Sequence, residues 1–238
     1  MQCRKKIRYC WFRNIVITCA LVTGSMVSHS SLQAREAPPF HDAAKSSNTE
    51  QKLLPVVNQE DIHLNHQLIA DNTLRRLPKQ CQKALRALYV RYDHPKHRGL
   101  SSTNTIILDG SEPDEEFRAL FIHEFGHITD LGCLTGTTES PPSTFRDGNI
   151  VMKQDDPSVG FYAISWTSEK IPKELSTPAD FVSGYATSDV FEDFAETYAY
   201  YILQPEAFAA RARWNTVLAQ KREWMLQNVF EEYKSVAS

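Results

Sequence analysis

The sequence predicts an α+β domain that is mainly helical, with a small mixed sheet laid against one central helix. Helix, strand, strand and helix follow one another between about residues 78 and 130, and the chain becomes helical again from Ser188. The 238 residues are 42% hydrophobic and 23% charged, a globular composition with enough length for one good-sized core. One domain, residues 59–238, is therefore expected.

Residues 1–34 have the pattern of a secretory signal peptide. Five basic residues with no acidic ones come first, a short apolar run at 15–22 follows, and Ala34 closes a plausible cleavage site. The apolar run is too short to span a bilayer comfortably, so no stable membrane insertion is expected once it is removed. We expect an exported protein, periplasmic or extracellular. The chain has no Asn-x-Ser/Thr sequence, which favours a bacterial protein.

Cleavage after Ala34 would change both the charge and the cysteine content. Removing five basic residues leaves 21 basic and 29 acidic residues, a formal net charge of −8, which argues against a nucleic-acid partner. Only Cys81 and Cys133 would remain, and they form either one disulfide or two buried thiols. Residues 35–58 are polar and contain two adjacent prolines, as in a flexible linker.

Apolar spacing and turn residues place the first elements. A helix is expected at about 59–72 and a second from Pro78, followed by strands at 88–92 and 103–108. The next helix begins with a serine cap at Ser111 and a proline two residues later, runs to about residue 130 and ends near residue 132.

The second half of the chain gives a weaker signal before it turns helical. Between 134 and 180 the only strand-like run is 161–166, and this insertion is expected to form part of a cleft rim. A helix at 191–203 then precedes a break at Pro205 and a long helix to about residue 234. Its expected buried stripe consists of Trp214, Leu218, Met225, Val229 and Phe230.

The central helix carries a His-Glu-x-x-His motif at residues 123–127. A spacing of four stacks His123 and His127 on one helical face, about 6 Å apart along the axis, where they can bind one metal ion. Glu124 can accept a proton from a water that the metal activates, the arrangement that cuts peptide bonds. Four other histidines lie outside the motif and are expected at the surface: His63, His66, His94 and His97.

A catalytic zinc takes three protein ligands, so the motif needs a third. A glycine three residues and a histidine six residues after His127 would supply it in one protease family, but Asp130 and Cys133 occupy these positions. Cys133 remains a possible thiolate ligand. Glu192 is the other candidate, because Glu196 one helical turn later could orient a ligating imidazole through its free N–H.

Two motifs of this chain resemble those of the gluzincin zinc metalloproteases, and most closely the catalytic domain of anthrax lethal factor and the Pro-Pro endopeptidases. In these enzymes an Asp stands three residues after the second His, as Asp130 does, and a Tyr stands seven residues before a Glu-x-Phe-Ala-Glu run, as Tyr185 does before 192–196. The similarity spans about residues 89–203.

The resemblance implies a zincin-like metalloprotease domain that binds one Zn²⁺ ion. It makes Glu192 the third ligand beside His123 and His127, Glu124 the general base, and Tyr185 the residue that supports the oxyanion. Glu196 and Asp130 become candidates for orienting the imidazoles. A protein or peptide would be the substrate.

The expected function is therefore that of an exported zinc-dependent endopeptidase. The alternative is a zinc-bound protein without catalytic activity that binds or inhibits a cell-envelope partner. Glu124 and Tyr185 argue against the alternative, because binding a metal requires neither of them.

Overall fold

The computed structural model describes residues 52–231. The predicted signal peptide at 1–34 and most of the predicted linker at 35–58 lie outside these residues. The described chain is about 48% helical, with seven α-helices and three small sheets, which confirms the α+β class. Within it, no helix combines the length and apolarity needed to cross a membrane.

The helices and strands have the following bounds. The helices are α1 (Leu64–Leu74), α2 (Lys79–Gln82), α3 (Asp114–Ile128), α4 (Pro157–Ser165), α5 (Val190–Leu203), α6 (Pro205–Ala212) and α7 (Thr216–Asn228). The strands are β1 (Ala87–Arg91), β2 (Gly99–Ser101), β3 (Thr105–Asp109), β4 (Pro142–Asp147), β5 (Ile150–Lys153), β6 (Trp166–Ser168) and β7 (Ile171–Pro172).

The main sheet is mixed and has three strands in the order β1-β3-β2. β1 runs parallel to β3, with Leu88 opposite Ile106, and β2 pairs antiparallel with the other side of β3. Alternate apolar residues of β1 and β3 are buried, and α3 packs against β2 and β3. β2 is thus an edge strand lying beside the helix that carries the His-Glu-x-x-His motif.

Helices α3 and α5 pack directly against each other. Gly126 makes this close approach possible, because a Cβ at that position would lie 2.9 Å from Ala195 Cα and 3.3 Å from Ala195 Cβ. Phe194 and Tyr198, both on α5, are fully buried. The motif helix and the helix bearing Glu192 are therefore held at backbone contact.

Residues 161–165 form the second half of helix α4 and not the predicted strand, and Trp166 begins β6. Asp156 caps this helix by accepting a hydrogen bond from the Ser158 amide, and Pro157 occupies its first turn. Phe161 and Tyr162 are fully buried. This part of the insertion belongs to the core, whereas β4–β5 and β6–β7 are short hairpins.

The long helix predicted after Pro205 is two helices. α6 ends at Ala212, and Asn215 begins a new helix by accepting a hydrogen bond from the Leu218 amide. Trp214 falls in the turn and is 92% exposed, so its place in the buried stripe was wrong. The other four residues of that stripe are buried.

Several predicted boundaries were also wrong. The serine cap of α3 is not formed, because the Ser111 hydroxyl donates to Asp109 and the helix begins at Asp114. The helix predicted from Pro78 has only four residues. Val57, in the last part of the predicted linker, is fully buried.

Cys81 of α2 and Cys133 form a disulfide. Cys133 ends a π-helical turn, Thr129–Cys133, which continues directly from α3. Of the two states open to these cysteines, the structure therefore has the bonded one. It ties the end of the motif helix to the first part of the domain.

Candidate metal centre

Three side chains from α3 and α5 form one potential metal site. Glu192 Oε2 lies 3.3 Å from His123 Nε2 and 3.5 Å from His127 Nε2, and one ligand atom from each residue lies within 4.8 Å of the others. Glu192 is in the first turn of α5, where Asp189 accepts hydrogen bonds from the backbone amides of Phe191 and Glu192. This His₂Glu group could hold a metal ion.

The donor atoms fit a small cation. Two imidazole nitrogens and a carboxylate oxygen bound tetrahedrally at 2.0–2.1 Å would stand about 3.3 Å apart, close to the separations of Glu192 Oε2 from the two imidazoles. Oε2 is buried and has no hydrogen-bond partner within residues 52–231. A bound cation would give this oxygen the partner it lacks.

The charges at the site also favour a cation. Burial opposes ionisation of Glu192, but the nearby imidazoles of His123 and His127 lower the pKa of this carboxyl below its ordinary value. Burial likewise opposes a charge on His123, yet the adjacent carboxylates of Glu192 and Glu196 raise the pKa of the imidazole well above the usual range. The carboxylates that favour a proton there would equally favour a metal cation.

Glu196 orients the first imidazole. Its Oε1 lies 2.9 Å from His123 Nδ1, and its side chain is almost completely buried. Because Nδ1 is engaged by this carboxylate, Nε2 is left to face Glu192. Glu196 Oε2 accepts a hydrogen bond from Ser183 Oγ.

Glu124 lies outside the three-donor group and contacts the edge strand β2. The carboxylate is buried, and its Oε2 accepts a 2.6 Å hydrogen bond from Ser101 Oγ. Gly99 leaves room for the other oxygen, because a Cβ there would lie 2.2 Å from Glu124 Oε1. Neither contact could be predicted from the sequence, since a three-residue strand carries no periodic pattern.

Tyr185 is the first residue of a short 3₁₀ helix, Tyr185–Thr187, that lies beside the site. It is 42% exposed, and its hydroxyl donates a 2.9 Å hydrogen bond to Glu192 Oε1. Partial burial and the negative charge of Glu192 raise the pKa of Tyr185. Near neutral pH the hydroxyl therefore stays protonated. It can donate or accept a hydrogen bond, but it does not act as a phenolate.

Asp130 and Cys133 differ from expectation. Asp130 Oδ1 accepts a 2.6 Å hydrogen bond from Tyr162, and Oδ2 is buried without a partner in the described chain, so the expected hydrogen bond to an imidazole is not formed. Cys133 is bonded to Cys81 and is not available as a thiolate ligand. Among the other histidines, His66 is buried against Phe117 and the Tyr92 hydroxyl and is not a surface residue.

Comparison with known proteins adds no assignment. No protein-family model matches the sequence. A search of curated proteins finds no sequence that matches it significantly.

Proposed function

We propose that this protein is an exported, zinc-dependent endopeptidase of the gluzincin type with a zincin-like catalytic domain. One observation carries the proposal: the buried carboxylate of Glu124 acts electrostatically on His123, and the Tyr185 hydroxyl donates to Glu192, within one His₂Glu donor group. Metal ligands, a general base and a hydrogen-bond donor are the three parts that metal-dependent hydrolysis of a peptide bond uses.

Zn²⁺ would be held by His123, His127 and Glu192. When bound, it would supply Lewis acidity toward the scissile carbonyl and would lower the pKa of water toward neutrality. Glu196 would hold His123 in the ligating orientation. The His₂Glu donor set is one that catalytic zinc sites use, and this supports zinc over a harder cation.

Glu124 would act as the general base. Ser101 engages its Oε2, which leaves Oε1 to accept a proton from the attacking water and pass it to the leaving amine. Tyr185 would stabilise negative charge on the substrate carbonyl oxygen. Its hydroxyl donates to Glu192 in this structure, and its exposed ring can turn toward a substrate.

The substrate would be a protein or peptide lying along β2. This strand is at the edge of its sheet, and its free side can pair with an extended peptide. Ser101 belongs to β2 and contacts Glu124, so a peptide paired there would pass close to the base. The alternative of a zinc-binding protein without activity leaves the placement of Glu124 and Tyr185 without a role.

The replacement Glu124→Gln tests the proposal. Wild type and variant, both loaded with zinc, are incubated with a denatured-protein peptide library, and products are identified by mass spectrometry. Loss of a general base costs about 10²- to 10⁴-fold in rate, so Glu124→Gln should bind zinc and cleave at least a hundredfold more slowly. A chelator should abolish the wild-type activity.

Glu115→Gln is the matched control, because Glu115 is an exposed carboxylate on the same helix. It should cleave at the wild-type rate. Equal cleavage by wild type and Glu124→Gln, or no cleavage by wild type under any zinc loading, would contradict the proposal and favour the binding-protein alternative.

A further inference from the structure

Ser183 contacts two parts of the candidate metal centre, the helix α5 and the turn that carries Tyr185. It is half-buried and precedes the 3₁₀ helix that carries Tyr185. Its single hydroxyl donates a hydrogen bond to Glu196 Oε2 and accepts one of 3.0 Å from the Ala186 amide. One oxygen atom therefore contacts both α5 and the turn that follows Gly184.

The hydrogen bond from Ser183 to Glu196 connects Ser183 to a proposed metal ligand, His123. Glu196 is held at both oxygens, Oε2 by Ser183 and Oε1 by His123 Nδ1 at 2.9 Å. The Glu196 side chain is almost completely buried, so water has little access to replace a missing partner. Without the Ser183 hydroxyl, Oε2 would be an unsatisfied buried carboxylate oxygen, and the carboxylate would be free to rotate away from His123.

The hydrogen bond from the Ala186 amide connects Ser183 to the turn that carries Tyr185. Ala186 is fully buried, and its amide hydrogen bond to Ser183 closes the turn at whose first residue Tyr185 stands. The Tyr185 hydroxyl in turn reaches Glu192 Oε1. Loss of the hydrogen bond between the Ala186 amide and Ser183 would therefore let the tyrosine hydroxyl shift relative to Glu192.

We propose that Ser183 is a positioning residue that acts on the site in two ways. It sets metal affinity through Glu196 and His123, and it sets turnover through the backbone that carries Tyr185. The effect on turnover rests on the proposed endopeptidase function, whereas the effect on metal affinity does not.

A serine that only stabilised the local turn would behave differently. Its removal would lower the free energy of unfolding but would leave zinc affinity and turnover of the folded, zinc-saturated protein unchanged. Zinc affinity and the separation of kcat from KM are therefore the measurements that distinguish the two roles.

The experiment compares Ser183→Ala, Ser183→Thr and the control Thr187→Ala in the full chain. Thr187 is exposed in the same turn, and its hydroxyl donates to the Gly184 carbonyl and does not reach Glu196. Zinc affinity is measured by competition with a chromophoric chelator, and peptide cleavage is measured at saturating zinc. Circular dichroism establishes that each variant is folded.

Loss of groups that support metal ligands costs about 10- to 100-fold in affinity or activity. Ser183→Ala should therefore bind zinc about tenfold more weakly and show a kcat about tenfold lower, with KM changed little. Ser183→Thr should restore both because it keeps the hydroxyl, and Thr187→Ala should match wild type.

The double variant Ser183→Ala, Glu196→Gln tests whether Ser183 acts on the metal through Glu196. If Ser183 acts on the metal through Glu196, the double variant should lose less zinc affinity than the product of the two single losses. Losses that multiply, or wild-type zinc affinity in Ser183→Ala, would overturn the inference. If wild type cleaves no peptide, the turnover part falls with the proposed function, and the zinc measurements still decide the metal part.

Discussion

Gly126 lies where α3 and α5 come closest, and replacing it with alanine tests whether this packing holds the metal ligands together. The added Cβ would be 2.9 Å from Ala195 Cα, a backbone atom that cannot rotate away. Nonbonded carbons prefer separations of about 3.5–4.0 Å, so the helices would have to move apart by about 0.6 Å or more. His123 and His127 lie on one of these helices and Glu192 on the other.

A shift of this size matters more to the metal than to the fold. Ligand positions in a metal site tolerate errors of about 0.2 Å, and we expect zinc affinity to fall on the order of 100-fold in Gly126→Ala. Overpacking costs about 1–3 kcal/mol, and the higher helix propensity of alanine offsets about 1 kcal/mol of it. The variant should therefore fold, with a small loss in the free energy of unfolding.

Chelator competition gives the zinc affinity, and urea unfolding of the metal-free protein gives the stability. Gly160→Ala on α4 is the matched control, because the added Cβ would also make a close contact, 3.2 Å from the side-chain atom Trp224 Nε1. Helix α4 carries none of the proposed metal ligands. It should bind zinc like wild type. Zinc affinity of Gly126→Ala within about twofold of wild type would show that the helix spacing does not set the ligand geometry.

Three further predictions follow from other parts of the structure. Gly99→Ala should displace the Glu124 carboxylate and lower kcat by about 100-fold with zinc affinity retained; an unchanged kcat would contradict this. Burial raises the pKa of Asp130 to about 7, so between its ordinary pKa and 7 the folded state holds a proton that the unfolded state releases. Between pH 5 and pH 8 the free energy of unfolding of the metal-free wild type should therefore fall by about 3 kcal/mol relative to that of Asp130→Asn. Urea-unfolding free energies of the two proteins that change in parallel with pH would refute this. Lys221→Met should cost about 3–5 kcal/mol in urea unfolding because it leaves the buried Asp193 carboxylate without its cation, and adding Asp193→Asn should recover part of the loss.

Local sequence patterns were enough to predict the two helices that carry the candidate metal ligands. The strands β1 and β3 and the helices α3 and α5 have strong periodicity, and His123 and His127 share a face through helical spacing alone. The structure adds what spacing does not contain, namely that Glu192 of α5 meets them. That meeting depends on the close approach of the two helices at Gly126.

The elements that were missed lacked a distinctive local period. The apolar run at 161–166 suits a strand by composition, and the capping Asp156 followed by Pro157 was the available sign of a helix. β2 has only three residues and exists because it pairs with β3. The Ser101 contact with Glu124 spans 23 residues of sequence, and only the folded chain brings such residues together.

The Cys81–Cys133 bond has a consequence for how the protein is prepared. Cys133 follows the motif helix by one π-helical turn, and the two thiols, if free, would form a separate pair of soft zinc ligands. Protein made in a reducing cytosol would carry these thiols, because disulfides persist only under oxidising conditions. If the proposed zinc site is also loaded, such protein is expected to hold more than one zinc ion per chain, so free thiols should be titrated before metal stoichiometry is measured.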